Sequence, residues 1–314
     1  MTLFFYGPNT YELRAAVAQM TSAYVAKAGS DFGLERIDGS AATPATLSAA
    51  LTATPFLATS RLVVIEGLAQ SKLAADALAK MLAAIPSTTV AVFVDTKVDQ
   101  RTAVFKQLQK ADKVMKFEAL SGQKLLAWLA AEAVRLGQSL EPAVLRALVE
   151  AAGDDQWRLS NELHKLVHSG RPVTVELVRE LVEKGSEQTI FELVEAMTAG
   201  RVELALRVWR SLLERRESEI YVLTMVQWQL RNLLLAKTAP PQMSPADVAK
   251  ATGMSPYVAG KMAAAQSGVN EQVLRRAFSA AAECEYEIKS GKAKAAPAVE
   301  RLIYSVAALT ARAR

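Results

Sequence analysis

Five short apolar runs in the first 120 residues constrain the fold of this 314-residue chain more than any other feature. They alternate with stretches whose apolar residues recur at helical spacing, and each run is too apolar to leave one face in water. The alternation predicts an α/β domain over residues 1–120, with a mostly parallel sheet covered by helices on both sides. The predicted strands are residues 3–6, 34–37, 62–65, 90–94 and 114–117.

The strand pattern stops near residue 121, and the rest of the chain has helical spacing. Apolar residues recur at intervals near 3.6 in 144–149 and again in 159–167. We therefore predict an all-α unit of three or four helices over residues 121–187 and a second all-α domain over residues 188–314.

The formal net charge of +5 is unevenly distributed along the chain. Residues 188–314 carry 17 basic and 12 acidic side chains, whereas residues 1–120 carry 12 and 10, and residues 121–187 carry 8 and 10. This bias is far from the dense basic stripe of a protein that binds through phosphate contacts. Any contact with DNA is therefore expected to be auxiliary.

Two features bear on the cellular compartment. No segment is long and apolar enough to cross a bilayer, and the amino terminus lacks the basic stretch and apolar core of a secretory leader. These observations predict a cytoplasmic protein without membrane contact. Cys284 is the only cysteine, which excludes an internal disulfide and a multi-cysteine zinc module.

The loop after the first strand is where a nucleotide-binding domain of this layout carries GxxxxGK[ST] to hold phosphates. Its sequence, GPNTYELR, lacks the lysine and hydroxyl of that motif, and the strand at 90–94 ends in Asp95 without a second acid. We therefore predict no catalytic residues and no cofactor. The predicted non-binding loop comprises Gly7, Pro8, Asn9, Glu12, Leu13 and Arg14.

Two further patterns suggest chemistry but lack supporting residues. His164 and His168 stand four apart, the helical spacing at which two imidazoles share a metal, yet no further ligand is near in sequence. An exposed helical face is the favoured interpretation, and no metal site is predicted. Residues 243–266 resemble a helix-turn-helix, but the second helix offers few side chains that read base edges, which favours helix packing.

An apolar pair, Phe56-Leu57, follows Thr54-Pro55 at a helix-to-strand junction where a polar loop is expected. Such a pair is either a corner of the core or an anchor for a pocket on a partner. Composition favours the core, and the sequence pattern leaves both interpretations open.

Several stretches, in chain order, resemble the clamp-loader delta subunits of bacterial DNA polymerase III. LFFYGPNTYELR looks like the family's opening strand and degenerate loop, and TPFLATSRLVVIEGL like its clamp-binding segment. AAGDDQWRLSNELHKL is similar to the family's most recognisable run, and TIFELVEAMTAG and GMSPYVAGKM continue the match. The resemblance therefore spans the whole chain.

The resemblance implies an AAA+-like α/β domain over 1–120, a helical lid over 121–187 and a helical collar over 188–314 that joins a five-subunit ring. It implies binding and opening of the sliding (beta) clamp, with gamma/tau ATPases and a delta-prime subunit as further partners and DNA within the assembled complex. ATP hydrolysis would belong to the partners. The implied clamp-binding residues are Thr54, Pro55, Phe56 and Leu57.

One departure from the family concerns the clamp-binding turn, where Leu-Phe is usual and this chain has Phe56-Leu57. Two alternatives stay open. One is a degenerate AAA+ nucleic-acid-binding protein that reads DNA through residues 243–266. The other is a small AAA+ ATPase with an unusual site, which the missing lysine disfavours.

Overall fold

All five predicted strands are present, and they form one parallel sheet. The computed structural model describes residues 1–55, 58–71, 73–240, 242–252, 259–260, 262 and 269–312, and it divides into two units, Met1–Leu120 and Ser121–Arg314. In the first unit the elements are β1 (Thr2–Tyr6), α1 (Thr10–Ala28), β2 (Leu34–Asp38), α2 (Pro44–Thr52), β3 (Arg61–Glu66), a 3₁₀ turn (Leu68–Gln70), α3 (Ala75–Ala83), β4 (Thr89–Asp95), α4 (Ala103–Leu108) and β5 (Lys113–Lys116).

The strand order β2-β3-β4-β1-β5 determines which face each helix covers. The chain leaves β1 for the far edge of the sheet and then returns in the opposite direction. With right-handed crossovers, α1 lies on one face and α2, α3 and α4 lie on the other. Leu13 and Val17 of α1 accordingly pack with Leu3 and Phe5. Leu47 of α2 instead packs in a second cluster on the opposite face, together with residues of α3 and α4.

This reversal of direction creates the place where open parallel sheets bind ligands. The connections from β1 and β4, which are neighbours in the sheet, leave toward opposite faces, so a crevice opens between their carboxyl ends. Tyr6 at the end of β1 lies beside Asp95 at the end of β4. The loop at residues 7–9 therefore stands at the expected ligand position.

Every secondary-structure element among the described residues of the second unit is a helix, as predicted. One core, in which Trp209, Leu230 and Ile303 are fully buried, is shared by the helices Ser186–Thr198, Val202–Glu214, Glu219–Thr238, Glu271–Lys289 and Ala295–Arg312. Among the described residues, no helix has the length and apolar character that spanning a bilayer requires. The helices are α5 (Gly122–Arg135), α6 (Pro142–Ala152), α7 (Gln156–Val167), α8 (Val175–Leu181), α9 (Ser186–Thr198), α10 (Val202–Glu214), α11 (Glu219–Thr238), α12 (Pro245–Thr252), α13 (Glu271–Lys289) and α14 (Ala295–Arg312).

Candidate functional site

The backbone amides of the loop after β1 are already used inside the protein. Gly7 N donates to Asp95 O at 3.0 Å, Asn9 N to Phe117 O at 3.2 Å and Thr10 N to Pro8 O at 2.9 Å. Pro8 has no amide hydrogen to offer. A phosphate-binding loop works by pointing such amides at the anion, whereas these three amides point at oxygens of the protein.

The first turn of α1 carries its own anion. The Asn9 side chain caps the helix by accepting from Glu12 N at 3.1 Å, and its Nδ2 donates to Glu12 Oε2 at 2.9 Å. The Glu12 carboxylate thus lies in the first turn, where the helix dipole stabilises negative charge. A bound phosphate would compete with this carboxylate for the same end of the helix.

The remaining loop positions have structural roles. Leu13 takes the place of the phosphate-binding lysine, and its side chain is buried in the α1 face of the core. Gly7 has φ +137°, and a Cβ there would lie 2.1 Å from Phe117 O, so only glycine fits. Asn9 Nδ2 also donates to Glu118 O at 3.1 Å, which ties the loop to the segment after β5.

Asp95 is the one acid at the end of β4, and it is 1% exposed. Both of its carboxylate oxygens lie 3.1 Å from Ala69 N. Burial raises the pKa of Asp95 to about 7, against the opposing effect of the Ala69 hydrogen bond. Among the described residues, no group of three or more His, Cys, Asp or Glu side chains could hold a metal ion.

A cleft of about 530 Å³ opens at the carboxyl ends of β2, β3 and β4. Arg14 and Arg36 line it, and so do the carboxylates of Asp38 and Glu66. Arg36 lies 3.9 Å from Glu66, and Ser40 hydrogen bonds hold the pKa of Asp38 below its usual range. Two cations facing two anions give little net attraction for a polyphosphate.

The segment between α2 and β3 contains the predicted clamp-binding residues. Thr54 is exposed and Pro55 is half-buried, while Phe56 and Leu57 lie outside the described residues. Arg61, the first residue of β3, donates from Nη1 to Ala50 O at 2.7 Å and to Ala53 O at 3.0 Å.

The same guanidinium also forms an ion pair with Glu35 of β2. At the carboxy-terminal end of the segment, Tyr24 Oη donates to Ser60 O at 2.7 Å. Both ends of residues 54–60 are therefore attached to the sheet domain.

The two other sequence patterns gain no support as sites. The rings of His164 and His168 are parallel with centroids 5.9 Å apart, and His168 Nδ1 lies 2.8 Å from His164 O. That contact engages one ring nitrogen within the chain. The proposed reading helix of residues 243–266 lies largely outside the described residues, which include helix α12 and, beyond it, only 259–260 and 262 of this stretch.

Sequence reasoning overlooked three features of this site. The Asn9-x-x-Glu12 spacing is a capping signature that was readable in the sequence. The burial of Asp95 and the attachment of the α2–β3 segment by Arg61 left no local signal, since each depends on residues from separate elements.

The fold and this site define a class of protein: an open parallel α/β domain of nucleotide-binding layout, followed by a helical unit. Family models described as DNA polymerase III, delta subunit, and as its C-terminal domain match residues 3–118 and 187–306. The chain belongs to the DNA polymerase III delta subunit family.

Individual relatives agree with this assignment. The chain is 23% identical to the DNA polymerase III subunit delta of Bacillus subtilis (strain 168), over 91% of this chain and 87% of the relative. A solved structure, the Bacillus subtilis DNA clamp loader delta protein, has the same fold with a TM-score of 0.71 and 21% identity over 98% of this chain and 95% of that one.

Proposed function

We propose that this chain binds the sliding clamp and favours its open ring, and that it does so without hydrolysing ATP. Membership in the delta subunit family supports the clamp-loader role. The proposal that the chain does not hydrolyse ATP rests on the hydrogen bonding of the loop after β1. Its amides donate to protein oxygens, and Glu12 occupies the helix end that would bind phosphate.

The proposed contact with the clamp is the segment Thr54, Pro55, Phe56 and Leu57. Its support is the resemblance of this stretch to the family's clamp-binding segment, together with the attachment of both segment ends. An attached segment loses less conformational freedom on binding than a free loop, which favours affinity. Two large apolar side chains in the sequence between a helix and a strand suit a pocket on a partner.

Opening of the ring requires a difference in affinity. A ligand that bound the closed and the open clamp equally would shift nothing, so the chain must bind the open interface more tightly. ATP-dependent steps would belong to gamma/tau ATPases and delta-prime, which we propose as further partners in the cytoplasm, with DNA inside the assembled complex.

We further propose the division into an AAA+-like domain (1–120), a lid (121–187) and a collar (188–314) that joins the other subunits. Exposed large apolar side chains are frequent in the collar range and support an assembly role. They are Ile220, Tyr221, Trp228, Tyr286 and Tyr304.

The direct test uses purified chain and the sliding clamp of the same organism. The chain alone, without nucleotide, should bind the clamp saturably and accelerate its release from circular DNA. Release from linear DNA, where the clamp slides off a free end, is the control that needs no ring opening. Absence of binding would refute the proposal, and binding without faster release from circles would refute ring opening.

A further inference from the structure

Phe32 is the most exposed large apolar residue among those that the structure describes, with 73% of its surface in solvent. It lies between α1 and β2, whereas Phe4 and Phe93 in the same unit are fully buried. A single exposed phenylalanine is common on protein surfaces. What distinguishes Phe32 is the hydrogen bonding of its turn and the packing of the next residue, Gly33, against Ser60.

The turn that presents Phe32 is closed by a hydrogen bond from Leu34 N to Asp31 O at 2.8 Å. The next residue, Gly33, packs so closely that a Cβ would lie 2.0 Å from Tyr24 Oη and 2.5 Å from Ser60 O. Its carbonyl accepts from Leu62 N at 2.8 Å. Phe32 therefore directly precedes Gly33, and Gly33 packs against Ser60, the last residue of the α2–β3 segment.

Chain geometry limits how far the apolar pair can be from this turn. Leu57 and Ser60 are three positions apart in the sequence, so their Cα atoms are at most about 11 Å apart. A standard interface covers about 800 Å² on each partner, a patch roughly 30 Å across. A protein that grips Phe56 and Leu57 with an interface of ordinary size is therefore within reach of Phe32.

We infer that Phe32 is a second apolar anchor for the sliding clamp, adjacent to the segment 54–60. This inference rests on the proposed function. The turn holds the backbone before binding, so burial of the ring costs little additional ordering. Aromatic side chains at fixed positions are typical of the residues that dominate an interface.

The first test is a titration of the full-length Phe32→Ala chain with the sliding clamp. Because the ring is mostly in solvent, the melting temperature should stay within about 1 °C of the parent while clamp affinity falls roughly 5- to 10-fold. Val134→Ala is the matched control, since it truncates an exposed large apolar side chain on α5 in the other unit, on a helix with no proposed binding role. Its clamp affinity should equal that of the parent.

A second measurement places a probe at the same position. Phe32→Cys in a Cys284→Ala background carries one environment-sensitive fluorophore, whose emission should shift to the blue when clamp is added. Unchanged affinity of Phe32→Ala, an affinity loss explained by a lower melting temperature, or an unshifted emission in the presence of bound clamp would overturn the anchor. Failure of the unsubstituted chain to bind clamp would instead refute the proposed function.

Discussion

At the scale of single residues, the positions of the first loop that correspond to a phosphate-binding motif make contacts within the domain. Gly7 remains because no other residue fits against Phe117. Asn9 and Glu12 form a cap where phosphate would bind, and Leu13 contributes to the core. Each of these residues therefore contributes to the stability of the domain through packing or helix capping.

The cap yields a prediction about both stability and nucleotide binding. Asn9→Ala should lower the free energy of unfolding by about 1–2 kcal/mol, because Asn9 is buried and bonds Glu12 N and Glu118 O. Asn270→Ala, at the exposed start of α13, should cost less. Neither the parent nor either variant should give saturable heat with Mg-ATP in calorimetry, and micromolar binding by the parent would revive the ATPase interpretation.

Asp95 predicts a pH dependence whose sign follows from its raised pKa. The pKa of Asp95 in the folded state, about 7, is above its ordinary value of 3.8, so the group's contribution to stability is fully present below about pH 4 and is lost as the pH rises through 7. Asp95→Asn removes the ionisation and keeps an acceptor for Ala69 N. The variant should therefore gain more than about 1 kcal/mol relative to the parent between pH 4.5 and pH 8.

Denaturant unfolding of the parent and Asp95→Asn at both pH values checks this expectation. Other titrating groups are common to the two proteins and cancel in the difference. A stability difference that does not change with pH would show that Asp95 has an ordinary pKa in the folded state.

At the scale of elements, the connection between α2 and β3 combines an attached frame with an apolar pair. Arg61 bonds Ala50 and Ala53 at one end of the segment, and Tyr24 bonds Ser60 at the other. We therefore expect a substitution of Arg61 and a substitution of the apolar pair to have different effects.

Replacing Phe56 and Leu57 together by Ala should weaken clamp binding roughly tenfold or more, because truncating an interface anchor typically costs about 2 kcal/mol. Melting temperature and assembly with the partner ATPases should change little. Arg61→Ala is the informative comparison, since loss of the frame should reduce both clamp affinity and stability. If the double variant melted much earlier and kept its affinity per folded molecule, the pair would belong to the core.

At the scale of the whole molecule, the residues just before position 187 form hydrogen bonds with the preceding helices. Gly185 N donates to Ala151 O at 3.2 Å, and Arg158 donates to Glu183 O at 2.7 Å. Both of these hydrogen bonds lie within residues 121–187. A fragment that ends at 187 keeps them.

Removal of residues 188–314 should abolish co-elution with the partner ATPases while clamp binding persists, as expected if clamp contact and assembly belong to different domains. Gel filtration of mixtures with each partner measures both properties, and circular dichroism verifies that the fragment is folded. Co-elution of the folded fragment with the ATPases would contradict the assignment of assembly to 188–314.

The sequence by itself determined the five strands, their parallel arrangement, the helical second half and the absence of a phosphate-binding motif. These properties depend on the local spacing of apolar residues and on the identity of a few side chains, and both are visible in short windows of the chain. The tertiary structure alone decided the strand order, the burial of Asp95, the attachment of the α2–β3 segment and the exposure of Phe32. Asn9 meets Glu118 across 109 positions and Asp95 meets Ala69 across 26. Such contacts depend on which distant elements pack together, and no local pattern specifies that.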